Sequence, residues 1–146
     1  MRKHSSFVLG AALLVGAVQG IVAPRVAAAE PAPAEGPVTA TLLCPPVDAP
    51  GRVRCSAQLT AGPGTRIAWA DLVLLPTPEG LVPLRARIGP TEAAESRETS
   101  WRFDLAVVAR RRGEAPLSAR VRVVACVGDR CSPIVRDVQA TVTVRE

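Results

Sequence analysis

The sequence contains few aromatic residues and almost no histidine. Of its 146 residues, two are Trp, two are Phe and none is Tyr. The only histidine is His4 and the only methionine is Met1. Scarce aromatics disfavour stacking platforms for nucleic-acid bases. Without histidine beyond residue 4, the chain has no base for a Ser-His-Asp or Cys-His site and no histidine ligand for zinc or copper. We therefore expect no cofactor, no metal and no enzymatic activity.

The N-terminal residues have the pattern of an export signal. Arg2, Lys3 and His4 form a positive start, residues 7–23 are apolar, and residues 27–29 are the small residues that a signal peptidase requires. We expect residues 1–29 to be a signal peptide cleaved before Glu30. An uncleaved anchor is the alternative, because the apolar run of about 17 residues is close to the lower limit for a spanning helix.

Cleavage would change both the charge and the compartment of the protein. Three of the 18 cationic residues fall in residues 1–29, so the net charge would drop from +5 to +2. Such a weak charge disfavours nucleic-acid binding, and the arginines at 110–112 are expected to form a solvated turn. The protein would be exported, either periplasmic or secreted, without stable membrane insertion. Its four cysteines are then expected to form disulfides.

The remaining chain reads as a short tether followed by one all-β domain. Residues 30–37 (EPAPAEGP) are predicted to be a disordered Pro/Ala-rich tether. In residues 38–146, short alternating apolar runs are separated by Pro/Gly turns. We expect seven strands, at 38–44, 52–60, 65–75, 81–88, 99–109, 117–126 and 133–145. The predicted fold is an immunoglobulin-like two-sheet sandwich, with a small barrel as the alternative.

Strand alternation predicts which side chains enter the core. Trp101 and Phe103 are expected to point inward, as is Trp69. Asp71 would then share the inward direction of Trp69, so we expect a bulge near Asp71. Separately, we expect one helical turn starting at Thr91 in a polar loop at 89–98. Arg120 and Arg122 must face water, which places Cys126 outward, on the solvent side.

Four cysteines allow three disulfide pairings. Pairing Cys44 with Cys55 places apolar residues opposite apolar ones and polar opposite polar across a hairpin. Pairing Cys126 with Cys131 makes a second hairpin with Gly128 in its turn, and sets Arg120 opposite Asp137 as an ion pair. It also puts Arg136 on the inward side, for which we expect a bulge at Pro133. The main alternative joins Cys55 to Cys126 in the antibody-like arrangement, around Trp69.

The run VRVVACVGDRCSPIV, residues 121–135, resembles a hairpin in the periplasmic N-terminal domain of the thiol:disulfide interchange protein DsbD. The resemblance implies an immunoglobulin-like fold and electron transfer to thioredoxin-like partners. It would make Cys126 and Cys131 the redox pair, with Pro133 in the proline-containing segment that follows.

Two functional hypotheses follow from these observations. The first is an exported, non-enzymatic β-sandwich that acts as a binding or structural accessory of the cell envelope or periplasm, with protein partners. Its cysteines would all be structural, in the pairs Cys44–Cys55 and Cys126–Cys131, with no catalytic residues. The alternative is a thiol–disulfide oxidoreductase that carries electrons through Cys126 and Cys131.

Overall fold

The computed structural model describes residues 36–146; the predicted signal peptide and most of the predicted tether lie outside these residues. The described chain forms nine strands and one short 3₁₀ helix at Pro90–Glu92. The strands are β1 (Val38–Leu43), β2 (Gly51–Ala61), β3 (Thr65–Leu74), β4 (Leu81–Pro83), β5 (Arg87–Ile88), β6 (Glu95–Ser96), β7 (Ser100–Ala109), β8 (Gly113–Val127) and β9 (Arg130–Val144). No helix within residues 36–146 is long and apolar enough to cross a bilayer.

The strands form two antiparallel sheets that enclose one core. The first sheet has the order β1-β2-β7-β4, with β6 also paired to β7, and the second has the order β5-β3-β8-β9. Buried apolar residues from both sheets belong to a single cluster. The predicted immunoglobulin-like β-sandwich is therefore confirmed.

Alternating side chains explain how the first sheet covers the core. In β7, Trp101 and Phe103 are buried whereas Asp104 is exposed. The Trp101 and Phe103 rings lie 6.0 Å apart between centroids. In the β1–β2 register, Leu42 lies opposite Ala57 and Thr41 opposite Gln58. β1, β2 and β7 thus present mainly apolar side chains inward and mainly polar ones to solvent, as expected.

The predicted strand at 81–88 is two strands in different sheets. β4 pairs with β7 in the first sheet, and β5 pairs with β3 in the second. Leu81 and Ile88 are both buried, although an odd and an even position of one regular strand would face opposite sides. Crossing between the sheets removes this conflict. In the loop that follows, the helical turn begins at Pro90, one residue earlier than predicted.

A bulge in β3 reverses the direction of its side chains. The register between β3 and β8 shifts between Ile67 and Trp69, a few residues before the predicted position. Ile67 is buried before the shift, and Ala70 and Leu72 are buried after it. Trp69 is consequently half-buried on the outer face of the second sheet. The prediction that Trp69 belongs to the core is wrong, because the added residue changes the parity of everything that follows.

The predicted bulge at Pro133 is also wrong. The β8–β9 register runs without a shift from Gly113↔Val144 to Val127↔Arg130. Arg136 therefore does face inward opposite Val121. β9 is an edge strand, and the half-buried Arg136 side chain donates from Nη1 to the Val135 carbonyl at 3.1 Å. Its buried Nε has no hydrogen-bond partner among the described residues.

The arginine-rich connection between β7 and β8 lies on the surface, as expected. Arg110, Arg111 and Arg112 are all exposed. Arg111 pairs with Glu79, and Arg112 donates to the carbonyl oxygens of Asp48 and Arg145. These contacts fasten the turn to neighbouring loops.

Candidate functional site

The first disulfide, Cys44–Cys55, lies on the core side of the first sheet. The β1–β2 register ends with Leu43 opposite Ser56, and one further step brings Cys44 opposite Cys55, with Cα atoms 4.3 Å apart. Cys55 is buried within the core, and Cys44 is half-buried against it. The bond therefore joins two strands from the inside.

The second disulfide, Cys126–Cys131, closes the β8–β9 hairpin. The two residues are register partners with Cα atoms 4.0 Å apart. Beyond them, Val127 pairs with Arg130 and leaves a two-residue turn whose first residue, Gly128, has φ of +58°. Glycine at this position is typical of a tight hairpin turn that requires positive φ. The structure thus contains the two local bridges and not the antibody-like pairing.

The two sulfur-bearing residues of this hairpin differ in exposure. Cys131 is exposed, as expected for a solvent-side bridge, but Cys126 is completely buried. Cys126 is predicted to face solvent on the outer side of the sheet. It does lie on that side, but the prediction that it is exposed is wrong. β8 is an interior strand, and Cys126 lies in the register between Arg66 of β3 and Cys131 of β9. Neighbours on both sides shield a side chain as small as this one.

Next to the bridge, the outer face of the second sheet carries an apolar strip, which consists of Trp69, Val124, Pro133 and Val135. Trp69 pairs with Val124, and Val124 pairs with Pro133, so these three lie side by side across β3, β8 and β9. Val135 follows two residues after Pro133 on the same face and is 53% exposed. Trp69 and Val124 are half-buried, and Pro133 and Val135 are exposed. Contiguous apolar residues that reach the surface commonly mark an interaction site.

A buried carboxylate borders the apolar strip. Asp71 is fully buried. Arg122 Nε donates to its Oδ1 at 2.8 Å, and Arg87 Nε donates to its Oδ2 at 2.9 Å. These three residues, the Asp71 cluster, connect β3, β8 and β5. The Arg122 guanidinium also lies 5.9 Å from the centroid of the Trp69 ring, a distance typical of a cation–π contact.

The charge state of Asp71 follows from these contacts. Burial raises the pKa of this carboxyl, but the hydrogen bonds and charges of Arg122 and Arg87 lower it, so that its pKa lies below the ordinary aspartate value. Asp71 is therefore ionised at neutral pH. A buried charge is tolerated only when it is paired in this way.

The predicted ion pair between Arg120 and Asp137 is present on the same face. Arg120 Nε and Nη2 donate to the two Asp137 oxygens at 2.8 and 2.9 Å. The side-chain hydrogen bonds from Arg120 lower the pKa of Asp137. This pair bounds the surface on the side away from the hairpin turn.

Sequence reasoning missed the Asp71 cluster. The signal was present, because the alternation placed Asp71 at a position where a lone charge could not lie. The partners could not be identified, since Arg87 and Arg122 belong to distant strands. Within the described part of the chain, no group of three or more His, Cys, Asp or Glu side chains is placed to hold a metal ion. The site thus offers an apolar surface, paired charges and one disulfide.

Comparisons with known proteins place the chain in no family. No family model matches the sequence, and no curated protein matches it. Among solved structures, it is similar to BslA, a bacterial hydrophobin, with a TM-score of 0.39 and 6% identity over 76% of this chain and 97% of that one. It is also similar to self-complemented MyfA, the major subunit of Myf fimbriae from Yersinia enterocolitica, solved with galactose. That comparison has a TM-score of 0.28 and 12% identity over 72% of this chain and 98% of the other. Scores this low say nothing about what this chain binds.

Proposed function

We propose that this protein is an exported, non-enzymatic β-sandwich that acts as a binding or structural accessory in the cell envelope or periplasm. Its protein partner would dock on the outer face of the second sheet, beside the Cys126–Cys131 bridge. The observation that carries the proposal is the apolar strip, and above all the exposure of Val135.

The strip has the composition of a protein-binding surface. It contains a tryptophan held in place by Arg122, and Trp and Arg are enriched where interfaces bury the most energy. Its surroundings are charged, with Arg66 and the Arg120–Asp137 pair on the same face. An apolar centre with a polar rim is the usual anatomy of an interface.

The strip is also rigid. The disulfide fixes β8 to β9 at one end, and the Asp71 cluster fixes β3 to β8 and β5 alongside it. A surface held in one conformation before binding loses less entropy when a partner docks. The disulfide and the Asp71 cluster both stabilise this part of the fold, and this supports a binding role for it.

The test is crosslinking of the tagged exported protein in its source cell. Val135→Arg places a charge in the apolar strip, and we expect it to remove the crosslinked partner. Val82→Arg is the matched control, because Val82 is 37% exposed on the outer face of the first sheet, where it lies opposite Val108. The proposal fails if both variants capture the same partners as the wild type.

A thiol–disulfide carrier is the second candidate, and the exposure of Cys131 favours it. A thioredoxin-like dithiol would attack Cys131 Sγ, form a mixed disulfide and release the Cys126 thiolate. The second thiol of the partner would then resolve the mixed disulfide, leaving Cys126 and Cys131 reduced and the partner oxidised. A measured reduction potential within the glutathione range supports this candidate, whereas a value below roughly −300 mV contradicts it.

A further inference from the structure

The outer edge of β9 is an open strand edge with defined ends. β9 is the last strand of the second sheet. At its C-terminal end the edge is occupied, because the Val47 N–H donates to the Thr143 carbonyl at 3.0 Å and the Arg145 N–H donates to the Val47 carbonyl at 2.9 Å. At its other end is Pro133, which has no N–H to donate. Among the described residues, no backbone group pairs with this edge between those two points.

The backbone groups that face outward along this edge follow from the alternation of the antiparallel ladder. In such a ladder, every second residue directs its N–H and C=O away from the neighbouring strand. Thr143 is one of these residues, since its carbonyl meets Val47. Counting back by twos gives Thr141, Gln139, Asp137 and Val135, and then Pro133. Four residues thus present N–H groups and carbonyls between the two ends that no backbone group of the described chain binds.

We infer that this edge pairs with the same edge of a second copy of the chain, antiparallel and centred on Val138. This arrangement places Val135 opposite Thr141 of the second copy and Asp137 opposite Gln139. All four outward-facing residues then exchange both of their backbone bonds. Pro133, without a donor, falls opposite Thr143, whose carbonyl is already used. The Pro133 end of the free edge in one copy therefore lies opposite the Thr143 end in the other copy, as a self-complementary twofold interface requires.

The side chains are compatible with this register. Asp137 meets a neutral glutamine, and its own charge is already paired with Arg120. On the inner side, Val138 meets Val138 and Arg136 meets Ala140. Centring the pairing on Asp137 instead would oppose two aspartates, which is destabilising. Of these two registers, the one centred on Val138 avoids this like-charge repulsion and is therefore favoured.

The edge also carries a feature that limits pairing with other strands. The Arg136 side chain binds the Val135 carbonyl, and an inward-pointing charge on an edge strand is a known protection against indiscriminate strand addition. The carbonyl oxygen retains a second lone pair for a partner N–H. This inference rests on the backbone groups of β9 and not on the apolar side chains that carry the proposed function, although Pro133 and Val135 belong to both surfaces.

Sedimentation equilibrium of the purified exported protein tests the inference. We expect a concentration-dependent dimer between about 1 μM and 1 mM, the range in which weak complexes dissociate. Gln139→Pro removes an outward N–H without touching the β8 ladder and should weaken the dimer at least about tenfold, since two symmetric bonds are lost. Gln139→Ala should leave the dissociation constant unchanged. So should Ala40→Pro, which removes an outward N–H from β1, an edge strand of the first sheet.

A second measurement covers the case in which Gln139→Pro impairs folding. All four cysteines are paired, so one added cysteine provides a unique thiol. Val138→Cys should form a disulfide-linked dimer under mild oxidation, while Gln139→Cys should crosslink far less. A monomer at every concentration overturns the inference. A dimer that Gln139→Pro does not weaken, or that crosslinks through residue 139 and not 138, also overturns it.

Discussion

The β1–β2 and β8–β9 hairpins each carry a disulfide between register partners, yet the two bonds have opposite surroundings. Cys44–Cys55 points into the core of the sandwich, where Cys55 packs among buried apolar side chains. Cys126–Cys131 lies on the outer face of the second sheet, with Cys131 exposed beside the apolar strip. The same covalent bond therefore stabilises the interior in one hairpin and shapes the surface in the other.

This difference shows why strand parity matters more than the presence of a cysteine. A disulfide between strands can lie on either face of a sheet, and the neighbouring residues decide which face is buried. On the inner face, the packed core prevents a thiol from reaching the sulfur atoms of the disulfide. On the outer face, Cys131 of the bond is exposed and lies beside the apolar strip.

The largest expected effect comes from removing the core bridge. Replacing both Cys44 and Cys55 by Ala should lower the free energy of unfolding by about 3 kcal/mol, because it frees a loop of about 12 residues in the unfolded chain. Replacing Cys126 and Cys131 by Ala should cost about 2 kcal/mol, since that loop has about 6 residues. Urea denaturation measures both values. A greater loss for the outer pair would contradict this comparison.

The next effect concerns the Asp71 cluster on the outer face. Asp71→Asn should cost about 2 kcal/mol, since it weakens charged hydrogen bonds to two partly exposed arginines. Because the pKa of Asp71 is lowered in the folded protein, its contribution is present above the ordinary aspartate pKa and is lost as the pH falls through the lowered value. The stability difference between wild type and variant should therefore shrink in acid.

Asp104→Asn is the control for that measurement. Asp104 is exposed on the first sheet, 3.5 Å from Arg102, and its replacement should change stability by less than about 0.5 kcal/mol. Equal losses for Asp71→Asn and Asp104→Asn would show that burial of the carboxylate adds nothing to the stability of the outer face.

A smaller stability effect than that of Asp71→Asn is expected in the turn of the β8–β9 hairpin. Gly128 has φ of +58° and open space around its missing Cβ, so Gly128→Ala should cost about 1 kcal/mol through backbone strain alone. Gly128→Asn should cost less, because asparagine tolerates this conformation better. Thermal unfolding of the two variants measures the difference. Equal midpoints would argue against strain in the turn.

Much of this comparison could be predicted from local sequence. Alternation placed Leu42 opposite Ala57 and Arg120 opposite Asp137, and both pairs are present. Such inferences succeed because each concerns a hairpin of two strands joined by a short loop. Once one pair of opposite residues is known, the register of the whole hairpin follows.

The remaining features depend on distant contacts. The shift at Ile67/Trp69 leaves no mark in the sequence that locates it, and it moves Trp69 from the core to the surface. The burial of Cys126 depends on its two neighbouring strands, and the Asp71 cluster requires arginines from β5 and β8. The alternation along a strand predicts which face of the sheet a side chain is on. It does not predict which residues of other strands bury that side chain.

The order in which the two disulfides open tests the contrast between them most directly. The folded protein would be treated with a small thiol reductant below the unfolding threshold, alkylated at intervals and mapped by mass spectrometry. Because thiolate attack requires access to a sulfur, Cys126–Cys131 should open first, through exposed Cys131, while Cys44–Cys55 remains intact. Reduction of Cys44–Cys55 first, or of both at the same rate in the folded protein, would contradict the account.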